Sequence, residues 1–210
     1  ATRGNDRYEN SAGDDVVDYS GSNNADADAN TDYANAAGFT SLNVTLANSG
    51  DSSLTLNSDA GAFTQTLNGI NNITGTTGAD VILGNNVNNT LSGAAGDDTI
   101  AGGAGDDSLD GGTGTNTVTY ASAAGSVTVD LSGTGTSTGG DGDGGTDTLT
   151  NFQNVIGSNQ ADTITGTTGD NTLEGGGSND TLVGLDGDDT LDGGAGTNDW
   201  ADYSAAAGSV

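Results

Sequence analysis

Aspartate or asparagine stands five residues after a glycine, nine residues at a time, along two stretches of this 210-residue chain. The first stretch, 75–119, reads GTTGADVIL, GNNVNNTLS, GAAGDDTIA, GGAGDDSLD and GGTGTNTVT. The second, 157–201, reads GSNQADTIT, GTTGDNTLE, GGGSNDTLV, GLDGDDTLD and GGAGTNDWA. Glycine holds position 1, often position 4 as well; Asp or Asn holds position 6 and an aliphatic residue position 8. Short carboxylates on tight glycine turns are the chemistry of an oxygen cage: glycine lets backbone carbonyls converge and Asp adds charge at short reach. A hard divalent cation is the ligand such a cage suits. The oxygen-bearing candidates at position 6 are Asp80, Asn89, Asp98, Asp107 and Asn116, then Asp162, Asn171, Asp180, Asp189 and Asn198. The same frame covers the start of the chain, where ATRGNDRYE and NSAGDDVVD place Asp6 and Asp15 at position 6.

Composition agrees with cation binding and removes most alternatives. The chain has 28 Asp against 2 Glu, a formal charge of −28, and no Lys, His, Cys, Met or Pro. So negative a chain repels nucleic acid and anionic membranes and attracts divalent ions. The preference for Asp over Glu is not what solubility alone selects, because Asp is the residue of turns and close ligation. Without His, Cys or Lys, acid–base and nucleophilic catalysis is left with carboxylates, hydroxyls, Arg3 and Arg7, and no singular cluster suggests a cleft; no enzyme is expected. No run reaches the roughly 20 apolar residues of a membrane helix. No signal peptide opens the chain, and the missing initiator Met suggests a processed chain or a fragment.

At the motif GGxGxDxUx the sequence resembles the RTX, or hemolysin-type calcium-binding, repeat family, strictly over the two arrays and loosely between them. The resemblance implies an all-β fold: a right-handed parallel β-roll, or β-solenoid, in which six residues turn, three form a strand, and two nonapeptides complete a coil. It implies several Ca2+ ions, held by the position 6 residues together with backbone carbonyls near Gly93, Gly96, Gly102, Gly105, Gly175, Gly184 and Gly187. With eighteen residues per coil, position 6 side chains stack about 4.8 Å apart, one strand spacing. The expected pairs are Asp80 with Asp98 and Asp162 with Asp180, and the mixed pairs Asn89 with Asp107 and Asn171 with Asp189. Asn keeps an oxygen but lacks the charge, so mixed sites are expected to bind more weakly. Asp at positions 5 and 9 reads as solvated turn residues.

Position 8 is the one regularly apolar column: Ile82, Leu91, Ile100, Leu109, Val118, Ile164, Leu173, Leu182, Leu191 and Trp200. These are the expected core, two thin ladders facing each other. The chain divides into a partial repeat block at 1–18, an interlude at 19–74 with a surface insertion at 20–38, and a five-repeat block at 75–119. An interlude at 120–156, a second five-repeat block at 157–201 and the start of a third interlude at 202–210 follow. The blocks begin 82 residues apart, at Gly75 and Gly157. In the interludes LNVTL (42–46) and VTVDL (127–131) alternate as half-buried strands do, and Gly142–Thr150 again fits the nonapeptide frame, so the winding is expected to continue through them.

Stacked anions without an ion repel, and a thin core does not offset the lost freedom of so much glycine, so folding is expected to be coupled to calcium. Sites of extracellular modules work at roughly 0.1–1 mM, which places folding after export in unfolded form. The expectation is a structural β-roll of an extracellular bacterial fibre, surface-layer or adhesin protein at the cell surface. Head-to-tail self-association, or continuation in a longer chain, is the expected partnership. Two alternatives stand beside it: an accessory module of a larger secreted enzyme or toxin, and an ice- or polysaccharide-binding face. The second rests on outward Thr at position 7, namely Thr90, Thr99, Thr117, Thr163, Thr172, Thr181 and Thr190.

Overall fold

Three residues per strand and six per turn leave each nonapeptide one inward side chain, and the fold follows from that economy. The computed structural model describes residues 7–9, 16–18, 39–48, 51–58, 61–133, 137–140 and 142–204. Asp6, Asp15, the proposed insertion at 20–38 and residues 205–210 lie outside them. The strands run β1 (Arg7–Glu9), β2 (Val16–Asp18), β3 (Phe39–Thr45), β4 (Asp51–Ser58), β5 (Gly61–Asn68) and β6 (Asn72–Thr74). The first array contributes β7 (Val81–Leu83), β8 (Thr90–Ser92), β9 (Thr99–Ala101), β10 (Ser108–Asp110) and β11 (Thr117–Thr119). Then come β12 (Thr128–Asp130), β13 (Ser137–Gly140), β14 (Thr146–Thr150) and β15 (Asn154–Ile156). The second array adds β16 (Thr163–Thr165), β17 (Thr172–Glu174), β18 (Thr181–Val183), β19 (Thr190–Asp192) and β20 (Trp200–Ala201).

These strands form two ten-stranded sheets, ordered β1-β5-β4-β3-β7-β9-β11-β15-β17-β19 and β2-β6-β8-β10-β14-β13-β12-β16-β18-β20. Within the arrays every pairing is parallel and, except at the last strand, joins residues eighteen apart, as in Ile82 with Ile100 and Ile164 with Leu182. Successive nonapeptides therefore alternate between sheets, and two make one coil of a parallel β-roll. The middle residue of each strand faces its counterparts across the coil: Ile82, Leu91, Ile100, Leu109, Val118, Ile164, Leu173 and Leu182 are buried, and Leu191 is partly so. Each such side chain contributes about 1.5–3 kcal/mol through burial, in a core only one residue deep per sheet.

Winding does not simply continue through the interludes. Each one places a three-stranded antiparallel meander into one sheet: β3, β4 and β5 in the first sheet, β12, β13 and β14 in the second. Alternation explains this, since the segments 42–46 and 127–131 each bury three alternate residues, Leu42, Val44 and Leu46 on one side and Val127, Val129 and Leu131 on the other, where a nonapeptide buries one. The expected strands at 42–46 and 127–131 are thus present, within this meander.

The 82-residue repeat also changes sheet. The first array starts in the first sheet with β7 and the second starts in the other sheet with β16. An odd number of nonapeptides per array produces this swap, because each one crosses the roll. Successive units are related by a half-turn about the roll axis, and their meanders alternate sides.

The last repeat slips by one residue. Thr181 pairs with Trp200 and Leu182 with Ala201, a spacing of nineteen where the arrays use eighteen. Trp200 therefore stands at an outward position, 63% exposed, and is not part of the core ladder. Fluorescence checks this directly: Trp200, the only tryptophan of the chain, should emit as a water-exposed indole and be readily quenched by acrylamide. Trp200→Ala should change stability by under about 0.5 kcal/mol, against about 2–5 kcal/mol for Leu182→Ala.

Candidate metal centre

The position 6 side chains from Asp80 to Asn116 and from Asp162 to Asp180 are buried, where they do the work of backbone acceptors, while Asp189 is half-buried and Asn198 exposed. Asp98 Oδ1 accepts the Asp80 N–H of the coil below at 2.8 Å, and Asn116 Oδ1 accepts that of Asp98 at 3.0 Å. Asp107 does the same for Asn89, Asp180 for Asp162 and Asp189 for Asn171. The expected pairs are therefore brought together, one strand spacing apart. Position 5 works in the opposite direction: Asn88, Asp97 and Asp170 accept the N–H of the residue eighteen further on. Residues read from the sequence as solvated turn positions are thus clamps between coils. At position 9, Asp110 and Asp192 each accept an N–H two residues on, from Gly112 and Gly194.

While Oδ1 is used this way, the second oxygens of Asp98 and Asp180 are buried with no hydrogen-bond partner. Glycine at position 1 is required by close approach and not by a positive φ. A Cβ at Gly93 would collide with the Asp98 carboxylate and stand 2.8 Å from the Gly111 carbonyl oxygen of the next coil. The hollow beside Gly93 is thus walled by a carboxylate oxygen and a carbonyl oxygen from consecutive coils. Carbonyls of Gly93, Gly102, Gly175 and Gly184 face the same side of Gly75, Gly84, Gly157 and Gly166. Among the described residues no three acidic side chains converge on one point. Carbonyls must therefore complete any coordination shell, which is how hard oxygen-seeking cations are held.

Burial, the backbone hydrogen bond to Asp80 notwithstanding, pushes the Asp98 carboxyl up to about 6, with the charges of Asp80 and Asp97 adding to the rise. Asp80 and Asp180 are also raised, burial again being the main cause. A buried carboxylate without a counter-charge is costly, and a bound divalent cation reverses that cost. The donor set fits calcium: all oxygen, anionic, and with lone pairs left over.

Two further residues belong to this system and were not singled out by sequence reasoning. Asp147 is buried, its Oδ1 accepts the Asp107 N–H at 3.1 Å, and its Oδ2 accepts the Tyr120 hydroxyl at 3.0 Å. It continues the position 6 column across the interlude, as the fit of Gly142–Thr150 to the frame could have indicated. In the last repeat, the slip puts Asp199 in the role expected of Asn198: Asp199 Oδ1 accepts the Asp180 N–H at 3.0 Å. Asn198 instead donates its own N–H to Asn179 Oδ1.

Stacked turns of buried acidic side chains between parallel strands define a calcium-binding β-roll. The RTX calcium-binding nonapeptide repeat matches the chain four times, over residues 66–86, 83–118, 156–191 and 165–199, so both arrays are RTX calcium-binding repeats. Such repeats bind multiple Ca2+ ions and are typical of proteins secreted by bacteria. No curated protein matches the chain. Among the described residues no helix is long and apolar enough to cross a membrane.

The raised carboxyls give a pH dependence with a definite sign. Between the ordinary value near 3.8 and about 6 the native state binds more protons than the unfolded one, so stability without calcium falls as pH rises through that window. In chelator, acidification from pH 7 to 5 should shift the chain toward the folded state, read as a gain of β-sheet circular dichroism, while calcium affinity falls over the same range. A chelated protein that loses stability between pH 7 and 5 would contradict this.

Proposed function

We propose that this chain is a calcium-rigidified structural rod, non-catalytic, of an extracellular bacterial fibre, surface-layer or adhesin protein, and that it folds on meeting calcium after export. The observation that carries this reading is the column of buried position 6 carboxylates whose outer oxygens, at Asp98 and Asp180, have no protein partner. Such a column is repulsive in a low-calcium cytoplasm and neutralised at the millimolar calcium outside cells, so rigidity is tied to location. The half-turn relation between 82-residue units supports a rod, because units added this way extend one straight roll and present meanders on alternate sides.

The outward side chains leave a role for polysaccharide contact. In the second sheet Thr90 and Ser108 stand in one row and Ser92 and Asp110 in the next, with Thr148 and Thr150 continuing both rows. This is more regular than the variable position 9 suggests when the two sheets are read as one.

Small-angle scattering and electron microscopy of the full chain test the proposal. In several millimolar calcium, scattering should show an elongated rod, and in chelator an expanded coil. Filaments in the micrographs would support the fibre, and isolated short rods an adhesin segment. A compact particle whose dimensions ignore calcium would overturn the reading.

A further inference from the structure

The turns of each array are of two kinds, and the difference lies at position 2. In the third, fourth and fifth repeats position 2 is left-handed: φ is 71° at Ala94, 96° at Gly103 and 78° at Gly112, then 101° at Gly176, 74° at Leu185 and 77° at Gly194. Ala and Leu are rarely found there, since a Cβ makes the left-handed region costly. In the first two repeats of each array position 2 is Thr76, Asn85, Ser158 or Thr167, and none of these has a positive φ.

That backbone change redirects one peptide. In the first two repeats the position 2 N–H points at the position 6 side chain: Thr76 to Asp80 Oδ2 at 2.6 Å, Ser158 to Asp162 Oδ2 at 2.6 Å, Asn85 to Asn89 Oδ1 at 2.9 Å and Thr167 to Asn171 Oδ1 at 2.7 Å. The position 2 side chain completes the closure. Thr76 Oγ1 and Ser158 Oγ donate to the Oδ1 atoms of Asp80 and Asp162 at 2.9 Å, and accept the N–H of Gly78 and Gln160. Leu42 and Val127 donate to the same Oδ1 atoms. Asn89 and Asn171 spend their amide N–H groups on the carbonyls of Asn71 and Gln153, both at 2.7 Å.

A carboxylate with three or more donors has no need of a cation, and an N–H aimed at it places the positive end of a dipole where the ion would stand. In the third repeat of each array the peptide is turned the other way, and the outer oxygens of Asp98 and Asp180 are buried without a donor. We propose that calcium occupies only left-handed turns that carry a carboxylate, at Asp98, Asp107, Asp180, Asp189 and the slipped Asp199, and that the first two turns of each array are closed by their own side chains and take no ion. The inference rests on the calcium-binding reading and revises its ligand set: Asp80, Asn89, Asp162 and Asn171 pass from ligands to ion-free clamps. Asn116 is the exception among the left-handed turns, since its amide donates to the Asn151 carbonyl at 3.0 Å and so fills its turn with a neutral group.

The test counts ions by equilibrium dialysis with metal analysis on the full chain, alongside the slope of unfolding free energy against the logarithm of calcium concentration. Asp98→Asn and Asp180→Asn should each lose one ion and flatten the slope by about one. Asp80→Asn and Asp162→Asn should retain the wild-type count and slope even if they are less stable. A gain variant guards against a clamp substitution that fails to fold: T76G, T77A and A79D, which gives 75–80 the residues of 102–107, should bind one additional ion. An ion lost from both Asp80→Asn and Asp162→Asn, or no gain in the triple variant, overturns the partition while leaving calcium binding intact. A wild-type chain that binds no calcium at all would instead sink the underlying reading.

Discussion

Everything in this roll depends on a carboxylate used twice. One oxygen of the position 6 side chain holds the backbone N–H of the coil below, and the other faces a glycine with no room for a side chain. The first use fixes the eighteen-residue register, because only a residue one coil away is within reach. The second forces glycine at position 1 and leaves a buried anionic oxygen that must be answered. The chain answers it in two ways, with a Thr or Ser turn at the start of each array and with an oxygen cage further along. Position 5 adds the reciprocal clamp at Asn88, Asp97 and Asp170, so those turns are held from above and below without using a strand.

The hydrophobic contribution is secondary to this. One inward residue per nonapeptide makes a ladder of Leu, Ile and Val that is fully buried but narrow, and a narrow core does not by itself order so much glycine. The meanders widen it locally, through Leu42, Val44, Leu54 and Leu67 on one side and Val127, Val129 and Leu149 on the other. Tyr120 closes the second of these regions, its ring buried and its hydroxyl on Asp147. Odd repeat numbers then alternate the meanders, which keeps the roll balanced about its axis.

Much of this was legible in the sequence, because period nine is unusually explicit: position 6, position 8 and the boundaries of both arrays can be read directly. What escaped is conformational and not compositional. Asp80 and Asp98 look alike in sequence, yet Thr76 closes the first with its N–H and its hydroxyl, while the left-handed Ala94 leaves the outer oxygen of the second without a donor. Position 5 looked solvated because an exposed Asp side chain gives no sign that it accepts a backbone N–H eighteen residues away. The slip at Asp199 was hidden by a repeat that fits the frame well; a carboxylate one residue later captures the Asp180 N–H and carries Trp200 outward with it. The meanders escaped because alternation predicts a strand but not its partner.

The central claim is that buried carboxylates make this fold conditional on a cation. Far-ultraviolet circular dichroism with thermal unfolding, in EDTA and across a calcium titration from micromolar to millimolar, tests it most directly. A β-sheet spectrum should emerge with calcium, and each ion taken up should add about 2.7 kcal/mol at a hundredfold excess over its dissociation constant. The same spectrum and the same melting temperature in EDTA and in calcium would contradict the account.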